Sequence, residues 1–220
     1  MMKRAIIGIL ILNFSYVLFG QEIEVKGIYA ANSLKKFQNS FGCGIGYNGF
    51  VNPKTRIGFS LEYLYNCIPY ENRYTPDADT TITIDKVRPN NHKIAVKFSC
   101  SFRILNKSKS LLFIGPEFGL ILFIINEKFE QAKVTPAGLI SYGYQGSHYF
   151  VKPTTSLGFL LEYELTEIIA HKISVSVSVH PELSGYGTFG MKGSSDPSLV
   201  GWLNAEIGFK YNFSRKENNK

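Results

Sequence analysis

Hydrophobic residues in this 220-residue chain recur with period two over most of its length. From Arg56, one side reads Ile57, Phe59, Leu61, Tyr63, Tyr65 and Cys67, and the other Arg56, Gly58, Ser60, Glu62, Leu64 and Asn66. From Lys93, Ile94, Val96, Phe98, Cys100, Phe102 and Ile104 oppose Lys93, Ala95, Lys97, Ser99, Ser101 and Arg103. From Ala170, Ile173, Val175, Val177 and Val179 oppose Lys172, Ser174, Ser176, Ser178 and His180. From Val200, Leu203, Ala205, Ile207, Phe209, Tyr211 and Phe213 oppose Trp202, Asn204, Glu206, Gly208, Lys210 and Asn212. Successive side chains of a strand point to opposite faces, so such runs are strands with two chemically different faces.

Eight segments carry the pattern: about 22–31, 39–51, 56–70, 91–105, 111–127, 148–165, 168–186 and 198–213. A membrane-crossing strand needs about 9–11 residues. The connections alternate in length. Asn52-Pro53-Lys54-Thr55, Asn106 to Ser110 and the residues around Thr166 are short and rich in turn formers. Those at 71–90, 128–147 and 187–197 are long and polar, and 32–38 is intermediate. Short turns on one side and long loops on the other is the plan of an outer-membrane barrel, with both termini on the periplasmic side. Pro116 and Pro153 fall inside segments, where each removes a ladder donor and predicts a bulge or break.

The first twenty residues read as an export signal. Lys3 and Arg4 precede an apolar run from Ala5 to Phe19, and Gly20 offers a small residue before Gln21. The run is short for a spanning helix. Residues 1–20 are expected to be cleaved, 21–213 to form the barrel and 214–220 to be a polar tail. Composition agrees with an exported folded domain: 45% hydrophobic, 19% charged, with 17 Phe and 13 Tyr. The formal charge of +7 comes with no basic stripe interleaved with aromatics, so nucleic acid is not an expected partner. Three cysteines exclude a disulfide scaffold. Cys43, Cys67 and Cys100 all fall on the apolar face and read as small hydrophobes.

Which face lies inside decides between a soluble and a membrane barrel. A soluble barrel fills its interior with the apolar face, and a membrane barrel turns that face to lipid. Large aromatics (Tyr63, Tyr65, Tyr149, Tyr211, Phe213) sit near segment ends, where interfacial girdles lie. The polar face is rich in Gly and Ser (Gly42, Gly44, Gly46, Ser99, Ser101, Ser174, Ser176, Ser178), which suits a crowded small lumen. The last strand ends in alternating aromatics. These features favour the inverted arrangement; a secreted soluble barrel binding an apolar ligand is the alternative fold.

Gly208-Phe209-Lys210-Tyr211-Asn212-Phe213 resembles the terminal strand signal read by the outer-membrane assembly machinery. Gly115-Pro116-Glu117-Phe118-Gly119 is similar to the Gly-Pro motif of the PorT-like small barrels, porin-family outer-membrane proteins of Gram-negative bacteria. The resemblance implies an outer-membrane barrel, with Phe209, Tyr211 and Phe213 as the assembly signal, and lipid and the assembly machinery as partners. It implies little about activity.

The inward face carries Glu22, Glu24, Glu62, Glu117, Glu162, Glu164, Glu182 and Glu206 against Lys26, Arg56, Lys93, Lys97, Arg103, Lys152, Lys172 and Lys210. Eight strands leave room only for side chains, and a buried charge is costly unless paired. The expectation is a plugged lumen with an internal ion-pair network, centred on Glu62, Lys97, Arg103, Glu117, Lys152, Glu162, Lys172, Glu206 and Lys210; a narrow path for a small solute is the alternative. For catalysis the candidates are His92, His148, Ser147, Asp77, Asp79 and Asp85, with no nucleophile motif among them. His171 and His180 have opposite parity, and Asp77 and Asp79 lack calcium-loop spacing, so neither a metal nor another cofactor is expected. The chain is therefore expected to be an eight-stranded antiparallel up-and-down transmembrane β-barrel, polar inside and apolar outside, with no enzymatic chemistry. Its role would be structural or interactive, through long outer loops bearing Tyr70, Tyr74, Tyr142 and Tyr144 that could meet a protein or ligand.

Overall fold

The computed structural model describes residues 19–33, 39–74, 82–107, 109–134, 138, 140–170, 172–185 and 199–213. Residues 1–18 of the expected leader, the tail 214–220, the connection 187–197, and Asp77, Asp79 and His171 lie outside the described residues. Among the described residues there are ten antiparallel strands: β1 (Phe19–Asn32), β2 (Ser40–Asn52), β3 (Thr55–Asn66), β4 (Tyr70–Tyr74), β5 (Ile82–Pro89), β6 (Asn91–Lys107), β7 (Ser110–Val134), β8 (Ile140–Ala170), β9 (Ile173–Gly185) and β10 (Leu199–Asn212).

Eight of them close a ring in the order β7-β6-β3-β2-β1-β10-β9-β8, sealed by the pairing of β8 with β7. The chain ends meet where β10 pairs β1 from Glu22↔Asn212 to Asn32↔Trp202, extended by the Phe213 N–H donating to the Gln21 carbonyl at 2.9 Å. The connections from β2 to β3, β6 to β7 and β8 to β9 lie at the same end as the Glu22↔Asn212 pair. In the first, Asn52 Oδ1 accepts from the backbone N–H of Lys54 and of Thr55, both at 2.9 Å, which pins the turn.

The faces are inverted. Ile45, Phe59, Leu61, Phe98, Leu120, Leu157, Val177, Ile207 and Phe209 are exposed, while Glu62, Lys97, Glu162 and Lys210 are buried. On β10 the apolar face runs from Leu203 to Phe213, about 34 Å of strand, which at an ordinary barrel tilt spans a band of about 25 Å. Tyr63, Tyr65, Tyr149, Tyr211 and Phe213 are all exposed on it. A soluble barrel with an apolar ligand cavity does not fit these faces, because the wall that would hold the ligand carries the charges.

Three expectations are corrected. Two stretches expected as loops are largely strand. Residues 70–74 and 82–89 form β4 and β5, and β5 pairs the outer end of β7 from Ile82↔Val134 to Pro89↔Glu127. On the other edge β8 pairs β7 from Val134↔Ile140 inward, so β4-β5-β7-β8 make a sheet standing beyond the ring. Tyr142 and Tyr144 belong to this sheet, not to a loop. The third concerns Thr166: β8 runs on to Ala170 through a bulge in which Glu167 adopts φ 63°, and β9 starts at Ile173. A left-handed non-glycine residue costs about 1–2 kcal/mol, and turn-former statistics do not reveal it.

The two prolines behave differently. At Gly115-Pro116 the pairing with β8 is continuous, but the pairing with β6 skips both residues. Pro116 has no N–H to donate there. A Cβ on Gly115 would lie 2.6 Å from the Ser101 Cα, so only glycine lets β6 and β7 approach this closely. Pro153 causes no break in the pairing with β7, because its other edge lies beyond the β9 ladder, which starts at Ser156↔Ser184.

Candidate functional site

The lumen is the most organised chemistry in the molecule. Inward residues come from even positions of β1, β2, β3, β8, β9 and β10 and odd positions of β6 and β7, so the strand pairing fixes which charges can meet. At its centre Lys97 Nζ lies 3.1 Å from Glu62 Oε2, 3.1 Å from Glu117 Oε1 and 3.0 Å from Glu182 Oε2. One ammonium from β6 thus holds carboxylates from β3, β7 and β9. Lys26 adds Glu62 at 2.6 Å and Glu206 at 2.8 Å. His180 bridges Glu117 and Glu206, each at 3.1 Å, and so links β7, β9 and β10. Lys93 holds Glu182 from across the lumen at 3.0 Å.

A second group lies toward the short turns. Arg56 Nη1 donates to Glu162 Oε1 at 2.7 Å and is 3.7 Å from Glu164. Lys210 pairs with Glu162 and, at 3.3 Å, with Glu164. Glu24 accepts from the Ser176 hydroxyl at 2.8 Å and lies 3.9 Å from Lys210. The glycines of β2 make the space: a Cβ on Gly44 would sit 2.9 Å from Lys26 Cε and 3.2 Å from Glu62 Cγ.

Of the nine charges expected in the network, Glu62, Lys97, Glu117, Glu162, Glu206 and Lys210 are buried in it. Arg103 is at its edge, half-buried, with its guanidinium 5.5 Å from the centre of the Phe50 ring and 5.6 Å from that of Phe113. Lys152 and Lys172 lie at other heights than these six. Lys152 is half-buried on the part of β8 that has left β9, and Lys172 occupies the reversal before β9, where its carbonyl accepts from the Asn212 N–H at 2.9 Å. Parity alone puts both inside; it says nothing of height along the barrel. Parity also puts His180 on the polar face but gives it no role, because its nearness to Glu117 and Glu206 is a matter of cross-strand height that one sequence does not show.

The lumen is not polar throughout. On the outer side of the charges Ile28, Ala30, Leu64, Ala95, Ile121, Phe123, Ile125, Val200 and Trp202 form a buried apolar layer. Phe123 and Trp202 stack at 5.7 Å and 11°, with Lys93 Nζ 3.9 Å from the Trp202 ring centre. On the inner side Phe50 and Phe113 lie 6.0 Å apart, and the Arg56 guanidinium sits 4.0 Å from the Phe113 ring centre. The charges are therefore enclosed between two aromatic layers. The cavity among them, bordered by Lys26, Arg56, Lys97, Glu117, Glu162 and His180, holds about 20 Å³, close to the volume needed for one water.

Among the described residues the catalytic candidates His92, His148, Ser147 and Asp85 do not assemble. His92 faces outward between Tyr63 and Tyr65, with its Nδ1 2.7 Å from the Tyr63 hydroxyl. His148 lies on the opposite face, stacked on Phe129 at 4.8 Å, and Ser147 points the other way on the same strand. Asp85 accepts from Gln131 Nε2 at 3.1 Å. Among the described residues no three His, Cys, Asp or Glu side chains are placed to hold a metal ion. Cys43, Cys67 and Cys100 are free thiols. Phe209, Tyr211 and Phe213 face outward on the last strand, the latter two rings 5.1 Å apart at 76°.

No protein-family model and no curated protein matches the chain. Among solved structures it is similar to Neisserial surface protein A (11% identity, TM-score 0.48, covering 88% of this chain and 97% of that one). It is also similar to Ail of Yersinia pestis in complex with sucrose octasulfate (12% identity, TM-score 0.48, covering 88% and 99%). A third is a major outer membrane protein of Thermus thermophilus (10% identity, TM-score 0.42, covering 88% and 99%). At such scores the fold rests on this chain's own ladders. Those ladders and the inverted faces make it an eight-stranded β-barrel of the outer-membrane type.

Proposed function

We propose that the chain is an outer-membrane protein with a non-conducting lumen, which serves as a rigid membrane mount for the sheet β4-β5-β7-β8. The observation that carries this reading is the filled lumen: an ion-pair network enclosed by the Phe123–Trp202 and Phe50–Phe113 layers, with about 20 Å³ left empty between them. A path for a solute would have to break several buried ion pairs and displace two aromatic layers. The described catalytic candidates His92, His148 and Asp85 each face a different partner, Tyr63, Phe129 and Gln131, which supports an interaction role over an enzymatic one. The Gly115-Pro116 motif supports placing the chain with the PorT-like small barrels, and the outward Phe209, Tyr211 and Phe213 support their reading as the assembly signal. The leader 1–20 supports export.

The test is single-channel conductance of refolded residues 21–220 in a planar bilayer, after a heat-modifiability gel has shown the folded barrel. Silence is the expected result. Discrete steps that shift when Glu62 or Lys97 is neutralised would make the protein a narrow channel instead.

A further inference from the structure

On the outward face of the protruding sheet, β5 and β7 set two cations directly opposite each other: Arg88 pairs with Lys128. Their neighbours Val87 and Glu127 are buried, so by strand alternation Arg88 and Lys128 point away from the lumen axis, and both are exposed. Like charges at directly opposed positions weaken a sheet. The adjacent row is balanced, because Lys86 lies between Glu71 on β4 and Glu130 on β7. The Arg88–Lys128 row is not. Its next positions are Ser147 on β8, opposite Lys128, and Pro69, just before β4. Among the described residues neither Arg88 nor Lys128 forms an ion pair; the protruding sheet's ion pair is Arg73–Glu71. Pro69, Arg88, Lys128 and Ser147 line one part of a groove of about 880 Å³, and the balanced row Glu71, Lys86 and Glu130 lines another part.

Height along the strands says what meets this groove. On β8 the apolar face ends at Val151 and Tyr149, which pair with Ile124 and Asn126. The Lys128–Ser147 row lies one outward position further on, about 7 Å along the strand. Interfacial tyrosines sit at the level of the lipid headgroups, so a row one outward position beyond Tyr149 lies at or just above them. A guanidinium fork, an ammonium and a hydroxyl within three neighbouring strands are the donors a phosphate takes.

We infer that Arg88, Lys128 and Ser147 form a binding site for a phosphate monoester carried on a membrane lipid headgroup. Its negative charge compensates the opposed cations and ties the protruding sheet to the outer leaflet.

The experiment is native mass spectrometry of the refolded barrel released from micelles doped with phosphatidic acid or with phosphatidylcholine, each variant first shown folded by heat-modifiability. Selective retention of phosphatidic acid is expected. The double variant Arg88→Gln, Lys128→Gln should lose roughly tenfold or more of it. The single variant Lys128→Glu covers the case in which the double variant does not fold, and should lose as much. Lys109→Gln, in a turn at the opposite end of the barrel, should lose none. Displacement of the retained lipid by millimolar inorganic phosphate would show that free phosphate fills the same site; resistance would show that the lipid itself is the occupant. Equal retention in wild type and the Arg88 and Lys128 variants, an equal loss in Lys109→Gln, or no preference over phosphatidylcholine would overturn the site.

Discussion

β7 and β8 pass without interruption from the ring into the protruding sheet, so the same two strands are read in two solvents. Inside the ring their inward side chains include Glu117, Glu162 and Glu164, all buried, each within reach of a cation from another strand. Beyond the ring, inward positions carry Phe129, His148 and Gln131, held by a ring stack and by one hydrogen bond to Asp85. The β7–β8 ladder continues through both, with one bulge in the protrusion between Gln131↔Tyr144 and Ala132↔Tyr142. What differs is how much a side chain depends on its partner. In the lumen an unpaired charge has nowhere to find water, so each ion holds its neighbours in place. In the protrusion water replaces any lost partner, so residues there are free to be chosen for recognition.

The largest expected effect is therefore in the lumen. Lys97→Met keeps the length of the side chain and removes the ammonium that faces Glu62, Glu117 and Glu182. Leaving buried carboxylates without their cation should cost about 3–5 kcal/mol, read as a lowered urea midpoint of the barrel refolded in lipid vesicles. Asp85→Ala in the protrusion should cost about 1 kcal/mol or less. Similar costs for the two would mean that water reaches the lumen freely, and the contrast between the regions would fail.

Trp202→Ala tests the outer layer. It removes the stack on Phe123 and the ring beneath Lys93, and should cost about 3–4 kcal/mol. It also opens the end of the lumen from which a solute would enter, so conductance measured on the same variant is informative. If the ion pairs alone block the path, it stays silent.

Much of the barrel is legible in the sequence because a two-residue period and a one-sided polarity are local. Ile94, Val96 and Phe98 against Lys93, Ala95 and Lys97 can be read without knowing any neighbour. Height is not local. Lys152 and Lys172 share the parity of the network yet lie toward its two ends, one beyond the β9 ladder and one just before β9, because no single strand shows where β9 stops or begins. The aromatic layers are hidden for the same reason: Phe50, Phe113, Phe123 and Trp202 are far apart in the chain and meet only when the register aligns them. The protruding strands read as loop because each face of β5 mixes polar and apolar residues, Thr83, Asp85 and Val87 against Ile82, Ile84, Lys86 and Arg88, which leaves no hydrophobic alternation to see.

Glycine substitution gives the sharpest comparison at smaller magnitude. Gly44 in the lumen and Gly143 in the protrusion both lie in strands, and residue type does not tell them apart. At Gly44 a Cβ would sit 2.9 Å from Lys26 Cε and 3.2 Å from Glu62 Cγ, whereas at Gly143 it would meet nothing within 4 Å. Gly44→Leu should therefore cost about 1–3 kcal/mol through overpacking and through strain on the Lys26–Glu62 pair. Gly143→Ala should be neutral or slightly stabilising, by about 0.4–1 kcal/mol, since alanine restricts the unfolded chain more than glycine does. The urea midpoints of the two variants, measured in the same vesicles, move in opposite directions if the lumen is filled and the protrusion is not. A harmless Gly44→Leu would show that β2 leaves more room beside Lys26 than the ion pair requires, and would point back to a solute path along the glycine strand.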